Sequence, residues 1–373
     1  NYNGGGTITF TGMAGIPTIQ PASALPPLSE PITIDGTTAG GKLVELDGYL
    51  VTSGSGLELT GGGCVVKGLA INRFGDYGIV VESGNNLIED NRIGTNAAGT
   101  ADAGNGYGVR INGEAVAASA NTIRKNLISG NGNYGVYIDG ALTSNNVVEG
   151  NYIGTDVTGN NPLPNSGPGV QIYNSASNRI GGTAAVQRNV ISGNADEGVY
   201  ISGGTGNVVQ GNYVGTNAAG TVALPNVMTG IYVAAPSNTI GGPAAKGGGG
   251  CVPPCNLVSA NHTGIVVSAG SNVVQGNYVG TDVTGRVDLG NSTWGVIINA
   301  GDDTVIGGLS AAEGNVIAFN DTGVSLEVSG GVGNAILGNA IWNNDQLGID
   351  LHPAGVTPND PGDGDTGPNQ YQN

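Results

Sequence analysis

The segment NVVEGNYIGTDVTGN, at residues 146–160, indicates the fold because close copies of it recur along the chain. The copies read NLIEDNRIGTNAAGT at 86–100, NVVQGNYVGTNAAGT at 207–221 and NVVQGNYVGTDVTGR at 272–286. They begin 60 to 65 residues apart, and a variant such as NTIRKNLISGN, at 121–131, lies between them. A single unit therefore spans about 25 to 35 residues, a period typical of solenoid and propeller architectures.

Alignment of the units produces columns of similar residues. One polar column contains Asn86, Asn121, Asn146, Asn178, Asn207, Asn238, Asn272, Thr304 and Asn334. A second contains Asn91, Asn126, Asn151, Asn189, Asn212, Asn256, Asn277, Asn315 and Asn339. Two residues after each of these positions the side chain is Ile or Val. Each unit then reaches a G-[VI]-x-[IVL] segment, whose Gly occupies positions 78, 108, 135, 169, 198, 230, 264, 295, 323 and 348.

The aliphatic spacing predicts the secondary structure. A period of two places Ile and Val on one face of a short strand. Three short strands cannot enclose a core alone, but units stacked about 4.8 Å apart would pair each strand with its copy and bury the aliphatic columns. We expect the column asparagines to adopt the left-handed region and to pass amide hydrogen bonds along the stack. The Gly before the third strand is expected to permit a turn closed to residues with a Cβ atom.

These patterns predict an all-β parallel solenoid with three strands per coil and about 10–12 coils. We expect a single domain over 1–373, with irregular N-terminal coils and a cap at 1–48, regular coils at 49–351 and a polar tail or cap at 352–373. The chain begins at Asn1 without Met, as expected of a mature or excised segment.

The composition excludes several other classes of protein. The 373 residues include 71 Gly and 43 Asn, and charged residues amount to 10% with a net charge of −17. Collagen would require Gly at every third position, and a helical bundle would lose about 1 kcal/mol for each Gly in a helix. No apolar run approaches the length of a membrane span. The acidic balance argues against a nucleic-acid partner.

The repeats also resemble a known family. The NVVEGNYIGTDVTG and NVISGN copies, the stretch PITIDGTT at 31–38 and the C-terminal GIDL at 348–351 resemble right-handed parallel β-helix proteins of the pectate-lyase-like superfamily. They look most like its large secreted or cell-surface bacterial and archaeal repeat proteins. The resemblance implies a right-handed parallel β-helix and a location outside the cytoplasm. It leaves the function open, because this superfamily includes lyases, hydrolases, epimerases, adhesins and scaffolds.

Two functions remain open. The uniform columns favour an extracellular structural or adhesive rod, attached to a cell surface or forming filaments from copies of itself joined end to end, with polysaccharide contact. The alternative is a polysaccharide-degrading lyase or glycoside hydrolase, which needs carboxylates on neighbouring coils. In the outward columns only Glu327 and Asp350 fall in consecutive coils, and the pair Asp302 and Asp303 is typical of a solvated turn. The sequence therefore does not favour an enzyme and assigns no catalytic residue.

Two lines of residues are candidates for binding a polysaccharide or a protein partner. The middle residue of the G-[VI]-x-[IVL] segment faces outward, which gives a line of Arg110, Tyr137, Gln171, Tyr200 and Tyr232 over five coils. A second line recurs in every other coil and contains Arg92, Tyr152, Tyr213 and Tyr278. Tyr rings can stack on sugar faces while their hydroxyls stay in water. The alternative is that these tyrosines stabilise exposed strands by stacking on one another.

The remaining candidates are a disulfide and a cation site. Cys251 and Cys255 flank a short loop and could form a local disulfide, which leaves Cys64 as a third thiol. The tail at 359–367 carries Asp360, Asp363 and Asp365 with the alternating oxygens of a calcium loop, although it lacks a bidentate Glu. Calcium is therefore the one cofactor that the sequence suggests, and a solvated polar cap is the alternative.

Overall fold

Three long parallel sheets form the protein. A computed structural model describes residues 5–11, 15–40, 43–51, 53–243, 250–352 and 355. Sheets A and B each have 12 strands and sheet C has 11, and every strand inside a sheet pairs with its copies in the preceding and following coils. These sheets confirm the all-β parallel solenoid and its predicted number of coils.

Each coil contributes one short strand to each sheet. Sheet A contains Gly6–Thr9, Ile32–Asp35, Val65–Lys67, Leu87–Glu89, Thr122–Arg124, Val147–Glu149, Arg179–Gly181, Val208–Gln210, Thr239–Gly241, Val273–Gln275, Val305–Gly307 and Ala335–Leu337. Sheet B contains Thr18–Ile19, Val44–Asp47, Leu69–Asn72, Arg92–Ile93, Leu127–Ile128, Tyr152–Ile153, Val190–Ile191, Tyr213–Val214, Leu257–Val258, Tyr278–Val279, Val316–Ala318 and Ala340–Trp342. Sheet C contains Leu57–Leu59, Tyr77–Val81, Tyr107–Asn112, Val136–Asp139, Val170–Tyr173, Val199–Ile201, Thr229–Val233, Thr263–Val267, Trp294–Ile298, Thr322–Leu326 and Ile349–Leu351. Two short 3-10 helices, Gly36–Thr38 and Ala185–Gln187, complete the described elements.

The predicted aliphatic columns fill one continuous core. Ile88, Ile123 and Val148 pair in register along sheet A and are at most 1% exposed. The middle residues of the third strands pair in the same way along sheet C, with their side chains directed outward. Since a slip of one residue would turn every aliphatic side chain into water, the pattern fixes the register of each sheet.

Three buried asparagine ladders run along the solenoid, one more than the sequence predicted. In each, the amide of one Asn donates to the Oδ1 atom of the next, as Asn126 does to Asn151 at 3.0 Å. The two predicted ladders carry these bonds over most of their length. The third ladder lies between sheets B and C and contains Asn105, Asn131, Asn165, Asn194, Asn226, Asn261, Asn291, Asn320 and Asn344.

The expected left-handed backbone of the ladder asparagines is wrong by one residue. Before most positions of the two predicted ladders the preceding residue carries the positive φ, for example Asp90 at 54° and Lys125 at 55°. The ladder residues that follow them, Asn91 and Asn126, are not among the residues with positive φ. The left-handed residue turns the chain, and the next residue then directs its amide along the stack.

The role of the Gly before each third strand also differs from the expected turn. Gly108 and Gly135 do not have a positive φ. A Cβ atom on Gly108 would instead lie 2.2 Å from the carbonyl oxygen of Gly135 in the next coil. Close stacking of backbones, rather than turn conformation, therefore excludes larger residues here.

Candidate functional site

The outer face of sheet C brings the first predicted line of residues together. Arg110 pairs with Tyr137, Tyr137 with Gln171, Gln171 with Tyr200, and Tyr200 with Tyr232. These pairs place one side chain on each of five successive coils, about 4.8 Å apart. Gln171 is buried, at 8% exposure, whereas the other four side chains are partly exposed. The rings of Tyr200 and Tyr232 stack with their centroids 5.0 Å apart and their planes within 10°.

A second row of tyrosines lies beside this line and was missed from the sequence. Tyr77, Tyr107 and Tyr134 each precede the Gly of the third strand. The rings of Tyr77 and Tyr107 stack at 4.6 Å, and those of Tyr134 and Tyr137 at 4.8 Å. We call the surface formed by the six residues of both rows the tyrosine face: Tyr77, Tyr107, Tyr134, Tyr137, Tyr200 and Tyr232. All six are partly exposed, so their rings and hydroxyls are accessible to a ligand.

Arg110 lies between the coils of Tyr77 and Tyr137 and is held by an acidic partner. Its Nε and Nη2 atoms donate to the two carboxylate oxygens of Asp139 at 3.0 and 2.7 Å, and the Asp139 side chain is only 2% exposed. The hydrogen bond to Asp139 raises the pKa of the guanidinium further above its ordinary value. The guanidinium also lies 5.6 Å from the Tyr77 ring and 5.8 Å from the Tyr137 ring. The bidentate ion pair with Asp139 fixes the guanidinium near the two rings. The carboxylate of Asp139 already neutralises the positive charge of Arg110.

Glu197 is the titratable group of the face. It occupies the same position before a Gly as Tyr134 and lies close enough to raise the pKa of both Tyr134 and Tyr200 electrostatically. Burial, followed by repulsion from Asp196, raises the pKa of the Glu197 carboxyl to about 7. At neutral pH this group can therefore either donate or accept a proton.

The raised pKa of Glu197 predicts a pH-dependent stability. The ordinary value is 4.5, so the folded state binds this proton more tightly than the unfolded state. The resulting stabilisation is complete below about pH 4.5 and is lost as the pH rises through about 7. Glutamine cannot ionise, so the Glu197→Gln variant does not lose this stability as the pH rises. Between pH 5 and pH 8 we expect its free energy of unfolding to increase by about 1–2 kcal/mol relative to that of the native protein, a figure reduced because solvent screens a partly exposed group. Urea unfolding at both pH values measures the difference. The exposed Glu30→Gln is the control, and parallel pH profiles for all three proteins would contradict the prediction.

The second predicted line lies beneath loops on sheet B. The glycine of each loop packs on the tyrosine of its own unit, and a Cβ atom on Gly285 would lie 2.7 Å from the Cε2 atom of Tyr278. Tyr213 is only 3% exposed and packs with Cys251 and Cys255, which form the predicted disulfide. The Arg188 guanidinium lies 4.0 Å from the centroid of the Tyr213 ring.

Burial therefore corrects the prediction for Tyr213, which cannot present its ring to a ligand in this structure. Tyr152 and Tyr278 are partly exposed, like the residues of the tyrosine face, and their binding role stays a prediction. Because their rings lie against loops of sheet B, the candidate surface is restricted to the tyrosine face.

A cleft continues the outer face of sheet C toward the C-terminal coils. Its volume is about 420 Å³, and its lining includes Trp294, Ile297, Asn299 and Glu327. The Oε2 atom of Glu327 lies 3.6 Å from the Nδ1 atom of His352. Trp294 is the one aromatic residue of this lining.

The predicted calcium residues Asp360, Asp363 and Asp365 lie outside the described residues. Within the ranges that the structure describes, no group of three or more His, Cys, Asp and Glu residues is arranged to hold a metal ion. The Cys64 thiol is free and buried, and burial raises its pKa. None of the helices in the described ranges is long and apolar enough to span a membrane.

Comparisons with known proteins agree with this architecture. Residues 37–153 match a family model described as a right-handed beta helix region. No curated protein sequence matches significantly.

Solved structures with a similar fold include the A-module of a mannuronan C-5 epimerase from Azotobacter vinelandii, at 14% identity and a TM-score of 0.48 over 89% of this chain and 91% of that one. A periplasmic alginate epimerase shares 14% identity at a TM-score of 0.45, with 86% of this chain and 75% of the other covered. A polysaccharide lyase of family PL6 from Pseudopedobacter saltans shares 14% identity at 0.36, over 95% and 99%. At this identity the likeness concerns the fold alone. The three parallel sheets and the matched region show that the chain folds as a right-handed parallel β-helix.

Proposed function

We propose that this protein is a secreted or cell-surface rod that binds a linear polysaccharide along the tyrosine face. The observation that carries the proposal is the alignment of six partly exposed tyrosines on one outer face of the solenoid. Three pairs of them stack, so their orientations are fixed before a ligand arrives. A rigid aromatic surface loses little side-chain entropy on binding.

The chemistry of the face suits a chain of sugars. Tyr rings pack on the apolar faces of pyranose rings, and their hydroxyls exchange hydrogen bonds with sugar hydroxyls at the edge. Burial raises the pKa of Tyr77, Tyr134 and Tyr200, so their hydroxyls stay protonated at neutral pH and can donate. Because the coils repeat at a regular spacing, a polymer of similar repeat can contact successive coils.

Removing one stacked pair tests this function. We expect the double variant Tyr200→Ala with Tyr232→Ala to bind a recognised polysaccharide at least about tenfold more weakly, since two aromatic contacts are lost. Affinity gel electrophoresis on a polysaccharide panel measures the change. Tyr49→Ala is the control because Tyr49 is 71% exposed and lies outside sheet C.

A folding defect must be separated from a binding defect. Tyr200→Phe with Tyr232→Phe keeps the stacked rings and removes the hydroxyls, so we expect most of the affinity to remain. Equal binding by the native protein, the alanine pair and the Tyr49→Ala control would reject the tyrosine face as the binding surface.

Catalysis on the same polysaccharide is a second candidate, and Glu197 is the observation that favours it. A carboxyl with a pKa of about 7 can act as a general acid at neutral pH, and it lies among the rings that would hold the substrate. Release of reducing or unsaturated ends that is lost in Glu197→Gln would support this function. Binding without any cleavage would leave the protein as a binding rod.

End-to-end assembly of copies, expected from the sequence, stays a prediction. Sedimentation of the purified protein across a range of concentrations distinguishes a monomer from a filament.

A further inference from the structure

We infer that the tyrosine face recognises a neutral polysaccharide rather than a polyuronate. This inference rests on the proposed function and adds the class of ligand to it. A polyuronate carries one carboxylate per sugar, so its binding surface must offer cations at a similar spacing. A neutral glycan needs only aromatic planes and hydrogen-bonding groups.

The charge distribution on sheet C favours the neutral ligand. In the 11 strands of this sheet the one basic residue is Arg110, whereas Glu58, Asp139 and Asp350 are acidic. Arg110 is bound in bidentate fashion by Asp139 and lies 3.7 Å from Glu114. Its guanidinium therefore has two acidic partners already, and a ligand carboxylate would have to compete with a buried one.

Carboxylates also border the face on its other sides. Glu82 follows the strand that contains Tyr77, and its Oε1 atom accepts a hydrogen bond from the amide of Asn112. Asp196 and Glu197 lie in the same coil as Tyr200, just before its strand Val199–Ile201, and both act electrostatically on Tyr134. An anionic chain laid along the rings would pass these groups at close range and would be repelled by those that are ionised.

The polar groups that remain are suited to sugar hydroxyls. Gln171 lies between Tyr137 and Tyr200 in register, and its amide donates to the Ser202 hydroxyl at 3.2 Å. Gln171 is buried, whereas the Tyr hydroxyls and the partly exposed Asn112 side-chain amide offer uncharged donors and acceptors along the same face. The face thus combines stacked rings with neutral hydrogen-bonding groups.

A binding panel tests the class of ligand. The native protein and the Tyr200→Ala/Tyr232→Ala variant are run by affinity electrophoresis against a β-glucan, a galactomannan and a xylan, and against polygalacturonate and alginate. Each polyuronate is tested both with EDTA and with added calcium. We expect at least one neutral glycan to bind at least about tenfold more tightly than either polyuronate in both conditions, and this binding to be lost in the variant.

Salt provides an independent readout. Binding of a neutral glycan should change little with ionic strength, whereas binding of a polyuronate to this acidic face should strengthen as salt screens the repulsion. Tighter binding of a polyuronate that is lost in the tyrosine variant would overturn the inference and leave the proposed function standing. Failure to bind any polysaccharide of the panel would overturn both.

Discussion

Replacing Asn151 with alanine is expected to destabilise the solenoid by about 3–5 kcal/mol, because one side chain carries hydrogen bonds in both directions of a buried ladder. Its Oδ1 atom accepts from the backbone and side-chain amides of Asn126 at 2.9 and 3.0 Å. Its own amide donates to the carbonyl oxygen of Ile123 at 2.9 Å and to Asn189 at 3.0 Å. Asn151 is fully buried, so water cannot replace these partners.

Two further variants show whether the ladder bonds are the cause. The exposed Asn160→Ala lies in a loop and is expected to change stability by less than about 0.5 kcal/mol. Asn151→Asp keeps the shape but cannot donate when ionised, so its loss of stability should shrink as the pH falls and the buried carboxyl gains a proton. Urea unfolding with amide exchange of the neighbouring coils measures all three. A loss for Asn151→Ala no larger than for Asn160→Ala would contradict the account.

Replacing Gly135 with alanine is expected to cost about 3 kcal/mol or more, since the added methyl group has no space. A Cβ atom at this position would lie 2.5 Å from the carbonyl oxygen of Gly169, 2.9 Å from the Cγ2 atom of Ile153 and 3.0 Å from the amide nitrogen of Asn165. The first of these atoms belongs to the backbone of the next coil, which is fixed by its own strand pairing. Relief of the clash would therefore separate two coils of sheet C.

The last described coil supplies the matched control. Gly348 occupies the same position in the repeat, but a Cβ atom there meets only the Cγ2 atom of Ile341, at 3.3 Å. We expect Gly348→Ala to cost less than about 1 kcal/mol, measured beside Gly135→Ala by the same unfolding experiment. Similar losses at the two positions would show that backbone freedom, rather than stacking, selects this glycine.

The sequence predicts the fold well because the solenoid repeats the same local chemistry in every coil. The alternation around Ile153 assigns strand, face and register at once, since only one register buries the aliphatic columns. The two asparagine columns likewise predicted two of the ladders, because Asn recurs at the same position of nearly every repeat. Because each strand pairs with its copy in the next coil, alignment of the repeats shows which distant segments pair, which a single sequence normally does not show.

The third ladder was missed because its spacing alternates. Asn131 follows the second-ladder residue Asn126 by five residues, whereas Asn165 follows Asn151 by fourteen. The difference is a loop of the TDVTG type, closed by a bridge between Thr155 and Pro162. The same asparagines lie three or four residues before the Gly of the third strand. Alignment of the units on that Gly would therefore have shown the third ladder.

The candidate site was only half predictable. The line through Arg110 and Tyr200 follows from the alternation of side chains within the G-[VI]-x-[IVL] segment. The row through Tyr77 was not predicted because its residues precede the Gly of that segment. The cover over Tyr213 depends on a loop and a disulfide that pack against sheet B, and alternation does not report packing from outside. The raised pKa of Glu197 depends on burial by neighbouring coils. Alternation thus gives the direction of a side chain and leaves its surroundings undetermined.

The most direct test of the tyrosine face as a binding surface is a crystal structure of the protein with a neutral hexasaccharide that it binds. We expect sugar rings stacked on Tyr200 and Tyr232 or on Tyr77 and Tyr107, with the sugar chain extended across successive coils of sheet C. An oligosaccharide held on sheet A, on sheet B or by the loops, with the tyrosine face empty, would contradict it.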